Sequence, residues 1–462
     1  MEKHVEDTVA GGTWIFLGSL AVSLTGFVFW LVVARVAGVE SVGIASAVMS
    51  SALMASTLVS AGMNIAVIRE VASKGARAFI ASLTLASVAS MVAASLSILL
   101  VHGLGYDHLI PIASLLAVSY VLSIPVLYSL IGMERFRSYF TATLAGSIAK
   151  LSVGTTLAAL GLGALAPLLG YLAHPITASL LALTYLTSLQ IPRTRPRRED
   201  LRSVAVLTLS NYPFMFSSQL LTMLNIYMYA YLVRETASTG VLYIAMMITL
   251  AIMAIPFSFL NAALSVGIRR NVDVYVESLR IGLALTTPVV ALVLAMPKTI
   301  LELINPELIS GVNTLRILLL SIIPSSTLMT LITKLNHEGE TLKLTVIGTS
   351  LLLVLIVLMI PLTKLLRDEG AALAFLAANT LLMLVTIRYL PNAVKNVGIL
   401  WSTHLSLALL SYLALVNEFF MSIIAVTVSA TILLASKIIM LNEINQILKM
   451  ILKVIFHSKV ER

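Results

Sequence analysis

Cysteine is absent from this 462-residue chain, and charge is scarce: 11% of the residues are Asp, Glu, Lys or Arg, against roughly 25% in an ordinary soluble domain. The first absence removes disulfides, thiolate metal ligands and a cysteine nucleophile. The second argues against a water-soluble fold, because 59% of the residues are hydrophobic and the mean hydropathy is +1.01. Catalytic signatures are wanting too. No Walker sequence, zinc-ligand spacing, Asp-x-Asp pair or Ser/His/Asp pattern occurs. ATP-driven pumping by this chain alone is therefore not indicated, and no catalytic residue, metal or cofactor is expected.

What is present is a succession of apolar runs of about 20 residues, each long enough to cross a bilayer. They lie near 12–34, 42–68, 78–101, 108–132, 138–162, 164–188, 204–233, 240–267, 276–297, 311–333, 343–363, 371–390, 400–417 and 419–440. The expectation is an all-α polytopic membrane protein of about fourteen spans, since a lipid-facing backbone must satisfy its own hydrogen bonds. The runs are solidly apolar, unlike the alternating ten-residue segments of a membrane barrel. The first run is full length and follows a polar stretch without a small-residue cleavage site, so it reads as a retained span.

The net charge of +9 is explained by where the charge falls. With the N-terminus inside, 23 of the 30 basic residues lie in inner loops, among them Arg69, Lys74, Arg135, Arg137 and the cluster Arg193, Arg195, Arg197, Arg198 and Arg202. Six lie outside: Arg35, Arg234, Lys298, Arg316, Lys364 and Arg367. This is the positive-inside pattern of a cytoplasmic-membrane protein with both termini cytoplasmic, and it gives no reason to invoke nucleic acid.

Signals at matched places recur about 200 residues apart. Arg35 and Gly43 are answered by Arg234 and Gly240, Ile68-Arg69 by Ile268-Arg269, Ser123-Ile124-Pro125 by Ser321-Ile322-Ile323-Pro324, and Gly163-Ala164-Leu165-Ala166 by Gly370-Ala371-Ala372-Leu373-Ala374. The reading is a duplicated six-helix unit: one lobe over 1–189, a basic cytoplasmic linker over 190–203 and a second lobe over 204–396. Two further helices over 397–440 and an amphipathic tail over 441–462 follow. Six spans return the chain to its starting side, so the lobes are parallel repeats with a substrate path between them. The tail reads either as an interfacial helix on the cytoplasmic leaflet or as a continuation of the last span.

These residues resemble a known superfamily. Ala34-Arg35-Val36-Ala37-Gly38 with Ser41-Val42-Gly43 resembles the junction between the first two helices of polysaccharide and lipid-linked oligosaccharide flippases. Asn64-Ile65-Ala66-Val67-Ile68-Arg69-Glu70 is similar to the close of their second helix, and Gly370-Ala371-Ala372 to the opening of their twelfth. Val42 departs from the pattern, which more often has an aromatic before the glycine. The resemblance is to the MATE-like multidrug/oligosaccharidyl-lipid/polysaccharide exporter superfamily. It implies two six-helix lobes, often with two further helices, and a flippase that is not an enzyme.

Polar residues within the spans are the candidate binding groups. Lys150 has about twelve apolar-span residues on either side, where a lysine costs ~2.5–3.5 kcal/mol. It reads as a cation facing an inter-lobe cavity, or as a lysine bonded to helix carbonyls. No Asp or Glu lies deep in any span, which favours an anionic lipid-linked saccharide as cargo over carboxylate-centred ion exchange. A coupling ion, H+ or Na+, on Asn, Thr and carbonyls stays open. Arg35, Arg234 and Arg316, near outer helix ends, read as gate residues for an anion or as interfacial anchors. In the seventh span Asn211, Ser218, Thr222 and Asn225 share one face, with Gln219 beside them, and either line an aqueous path or pack helices together. His174, followed by Pro175, reads as a proton relay, a cavity residue or a packing feature, and His404 as a weaker candidate. Two alternatives accompany the flippase reading. One is an ion-coupled small-molecule (drug) exporter. The other is a membrane glycosyltransferase or polymerase, for which the longest outer break, 297–310, offers only Glu302 and Glu307.

Overall fold

The computed structural model describes the backbone of residues 2–187, 196–270, 273–413 and 417–440. It describes their side chains except at 2–13, 15–17, 187, 210, 213–221, 261, 262, 264–270 and 341. The expected tail over 441–462 and residues 190–195 of the expected 190–203 linker lie outside the described residues. Among the described residues there is no strand. The helices are α1 Glu2–Val36, α2 Gly38–Ser60, α3 Met63–Lys74, α4 Ala76–Leu104, α5 Ile110–Gly132, α6 Phe136–Ala159, α7 Leu165–Thr187 and α8 Arg198–Val233. They continue as α9 Thr236–Arg270, α10 Tyr275–Ala295, α11 Pro297–Ile304, α12 Val312–Leu320, α13 Ile322–Glu338, α14 Thr341–Thr386, α15 Val394–Leu413 and α16 Glu418–Ala435.

Ten described stretches are long and apolar enough to cross a membrane. The number falls below fourteen for two physical reasons. Polar residues dilute α6 and α15, and α14 runs through two expected spans with a kink at Arg367 (φ 51°, ψ −125°); the middle of α8, the remaining expected span, lies outside the residues whose side chains are described. The expected second span is also interrupted. Between α2 and α3 the chain turns at Gly62 (φ 84°), where a β-carbon would lie 2.6 Å from the Thr208 carbonyl oxygen. Only glycine meets both demands.

The chain falls into two compact units. The first comprises Met1–Ala251, Leu301–Leu318 and Gly339–Ala378. Its most enclosed helix is α2, which packs on α1, α4, α5, α7 and α8. The sequence of α2 explains this, being largely Ala, Ser, Gly and Val, and small side chains let helix backbones approach closely in lipid. Its serines spend their hydroxyls on carbonyls of the preceding turn, Ser51 on Ala47 at 2.9 Å, Ser56 on Ala52 at 2.8 Å and Ser60 on Ser56 at 2.7 Å. No hydroxyl of these three is left for lipid.

Glycines set the other contacts of this unit. A β-carbon on Gly43 of α2 would lie 1.7 Å from the Thr236 carbonyl oxygen, and one on Gly240 of α9 would lie 2.2 Å from that of Val39. The α6–α7 pair is closed through Gly146, Gly154 and Gly170. A β-carbon on Gly146 would meet the His174 carbonyl oxygen at 2.7 Å, one on Gly170 the Lys150 carbonyl oxygen at 2.9 Å, and one on Gly154 the Phe29 ring at 2.3 Å. At the α2–α3 break the Tyr212 hydroxyl donates to the Leu58 carbonyl at 2.8 Å, supplying one of the last-turn acceptors a helix end leaves open. Lys74 bonds Glu70 at 2.6 Å and lies 3.8 Å from Asp200, an ionic tie between α3 and the first turn of α8.

The second unit comprises Ile252–Ile300, Leu319–Glu338 and Asn379–Arg462. Here α10 packs on α13, α15 and α16, and its Gly282 nests against Pro256, which interrupts α9. Glu418 accepts from the Thr299 backbone N–H at 3.0 Å and the Thr299 hydroxyl at 2.6 Å. That carboxylate thus satisfies open donors at the N-terminus of α11.

Two glycines give opposite expectations. Gly154→Ala forces Phe29 out of its seat and lowers stability by about 1–3 kcal/mol. Gly398→Ala, in exposed α15 with nothing within 4 Å of the added carbon, raises stability by about 0.5–1 kcal/mol. Thermal unfolding of the detergent-solubilised protein checks both, and equal midpoints for the two variants would contradict the packing described for α6, α7 and α1.

Candidate functional site

The site is built from α1, α6, α7 and the part of α9 before Ile252, within the first unit. The seven residues of α6 from Ser147 to Val153 contain a single charge, Lys150, and its residue is only 4% exposed. Room for the ammonium comes from Gly26 on α1: a β-carbon there would sit 3.3 Å from the Lys150 Nζ. Two aromatic faces then receive the charge. Nζ lies 5.1 Å from the Tyr171 ring centroid on α7 and 5.8 Å from that of Phe29 on α1.

A second layer fixes those rings. Trp30 Nε1 donates to the Tyr171 hydroxyl at 2.9 Å. The Tyr171 hydroxyl is also hydrogen-bonded with that of Tyr243 on α9. Trp30 meets Tyr243 edge-on at 4.6 Å between centroids, and Phe29 meets Tyr171 edge-on at 5.6 Å. Phe29, Trp30 and Tyr243 are buried, whereas Tyr171 is only half-buried. A cation over an aromatic face gains about 2 kcal/mol when desolvated, so two faces offset much of the cost of holding Lys150 at this depth. No ion pair described in the structure includes Lys150.

His174 belongs to the same cluster. It follows Tyr171 by three residues on α7 and so shares its face. Its carbonyl and ring pack on Gly146, one turn before Lys150. His174 Nε2 is buried with no hydrogen-bond partner among the described residues, and so is the Ser147 hydroxyl on α6. The arrangement is a positive centre walled by π faces, with two unspent polar atoms beside it. It suits an anion, which would replace the rings as partner of the ammonium.

The other expected residues are dispersed. Asn211 donates to the Leu207 carbonyl of its own helix at 2.8 Å. Thr222 is half-buried, and Asn225 is buried with Nδ2 3.4 Å from the Ala371 carbonyl of α14 and Oδ1 without a partner among the described residues. The side chains of Ser218 and Gln219 lie outside the described residues. Arg35 is exposed at the end of α1. Arg234 is exposed after α8 in the left-handed region, with its guanidinium 5.8 Å from the Tyr231 ring. Arg316 is half-buried on α12 and donates to Asn313 Oδ1 at 3.3 Å. His404 is buried on α15 in the second unit, with neither ring nitrogen partnered among the described residues.

Sequence reasoning missed the aromatic wall. Phe29, Trp30, Tyr171 and Tyr243 come from three helices, and no spacing along the chain joins them. It also missed the polar turn around the α14 kink. There Arg367 pairs with Glu235 at 2.7 Å, Asp368 accepts from the Thr314 hydroxyl at 2.7 Å, and Glu369 accepts from Asn313 Nδ2 at 3.0 Å. The string Arg367-Asp368-Glu369 at a loop was the available signal.

The fold is shared with solved membrane transporters. The lipid II flippase MurJ in its inward closed conformation matches with a TM-score of 0.70 and 16% identity over 90% of this chain and 98% of that one. A MOP superfamily transporter from Pyrococcus furiosus Vc1 (DSM3638) matches with a TM-score of 0.56 and 14% identity, over 85% of this chain and 96% of that one. A multidrug resistance MATE family transporter of the same superfamily, inward-facing, gives 0.56 and 14% over 84% and 99%. Comparison with curated proteins finds no match. The sequence model described as "Polysaccharide biosynthesis protein" matches residues 8–266, more than half of the chain. This multi-pass membrane protein belongs to the polysaccharide biosynthesis protein family.

Proposed function

We propose that the protein is a flippase that carries an anionic lipid-linked saccharide, an oligosaccharide or polysaccharide repeat unit, from the inner to the outer leaflet of the cytoplasmic membrane. The observation that carries this reading is Lys150: a buried ammonium whose partners are the faces of Phe29 and Tyr171. A phosphate-linked head group matches such a centre in charge, while the lipid tail remains in the bilayer. Alternating access between two parallel six-helix lobes, 1–189 and 204–396, delivers the head group to each side in turn. The two further helices over 397–440 bring the spans to fourteen. The basic bias of the inner loops supports cytoplasmic termini. The reading is transport without catalysis; Arg35, Arg234, Arg316 and the polar face of α8 serve as secondary contacts along the path.

An ion-coupled small-molecule exporter is the second reading, favoured by the fold shared with the multidrug transporters. Substrate charge separates the two, since the Lys150 centre selects anions.

Two outcomes follow. In liposomes holding a fluorescent lipid-pyrophosphoryl saccharide, Lys150→Met, which keeps volume and loses charge, slows flipping about tenfold to 100-fold, the worth of about 1.5–3 kcal/mol of charge-assisted bonding. Lys150→Arg retains part of the rate; an unchanged rate in Lys150→Met would remove the reading. The absence of cysteine makes topology directly measurable. Asp107→Cys is expected to react with a membrane-impermeant maleimide in intact cells, and Asn392→Cys only after permeabilisation. Both positions are exposed at helix junctions, and labelling of both in intact cells would contradict the topology.

A further inference from the structure

Lys150 and His174 form one electrostatic unit, although only Lys150 is needed to attract an anion. Two buried cations in one apolar shell repel strongly, and a single diphosphate brings two negative charges. We propose that His174 Nε2 is a proton-binding site filled when the anionic cargo binds, so that cargo and one proton enter the Lys150 centre together. The inference rests on the reading of Lys150 as the cargo-binding cation.

The geometry supplies what such a site needs. His174 Nε2 is buried and unpartnered among the described residues, so it is free to take a proton. Its ring packs on Gly146, one turn before Lys150 on α6, and it lies one turn beyond Tyr171, whose ring faces the ammonium. Ser147, three residues before Lys150 on α6, adds an unspent hydroxyl on the same stretch. The elements packed on α7 offer no competing charge at this depth. Along α5 the titratable groups are Tyr120 and Tyr128. The one carboxylate of α2, Glu40, sits in its first turn. On α6 the titratable and charged residues are Arg137 and Tyr139, in the first turn, and Lys150.

With the site empty, the ammonium opposes a second positive charge. With diphosphate bound, its negative charge outweighs the ammonium and holds a proton on Nε2. On release of cargo the two cations again face each other, and the proton leaves on the side to which the site then opens. Linkage makes the effect reciprocal: cargo promotes protonation, and protons tighten cargo binding.

The test is calorimetric binding of a short-chain isoprenyl pyrophosphoryl sugar to the full-length protein in detergent. Measurements run from pH 8 to pH 6, in two buffers of different ionisation enthalpy. Both phosphates of the probe are esterified, so the probe itself does not titrate in this range. The wild type is expected to take up a fraction of a proton that approaches one, with affinity rising at most about tenfold per pH unit as the pH falls. In His174→Gln the uptake disappears and affinity no longer depends on pH, while the thermal midpoint reports that the fold is kept. Uptake that persists in His174→Gln would place the proton elsewhere and overturn the proposal. Should that variant not fold, zero uptake by the wild type overturns it and uptake near one supports it. Failure of the wild type to bind the probe would remove the cargo reading and this inference together. Loss of binding only in Lys150→Met keeps the former whatever His174 does.

Discussion

The proposed site depends on a positive charge buried among helices, Lys150. A lysine in the middle of a membrane helix costs ~2.5–3.5 kcal/mol, and this chain offers Lys150 no carboxylate among the described ion pairs. The compensation is aromatic. Two ring faces at 5.1 and 5.8 Å take the ammonium, and a hydrogen bond from Trp30 at 2.9 Å holds one of those rings by its hydroxyl. Such a partner is weaker than an anion, as the proposed reversible binding of an anionic head group requires. A lysine neutralised by a buried Asp or Glu would be stable but closed to cargo.

Close helix approach is the condition for that arrangement. Phe29 reaches α6 and α7 because Gly154 and Gly170 leave the space of a missing side chain, and Gly26 does the same for the ammonium itself. The same device recurs at Gly43 and Gly240, which let α2 and α9 touch backbone to backbone.

Much of this was legible in the amino-acid order, and what was not had a common cause. Apolar length revealed the helical segments because lipid imposes it. Lys150 stood out because no other charge lies at its depth. The break at Gly62 was harder, since it turns the chain inside one expected span. The aromatic wall was invisible, since Phe29, Trp30, Tyr171 and Tyr243 converge only in three dimensions. The polar face of α8 was read as one stripe. Asn211 spends its amide on its own helix while Asn225 reaches α14.

A structure of the protein with a pyrophosphoryl-linked saccharide bound tests the central claim most directly. The account predicts a phosphate oxygen about 2.7–2.9 Å from Lys150 Nζ, the distance of a charge-assisted bond, with the ammonium drawn off the Phe29 and Tyr171 rings. A head group seated elsewhere, with Lys150 still against those rings, would contradict it.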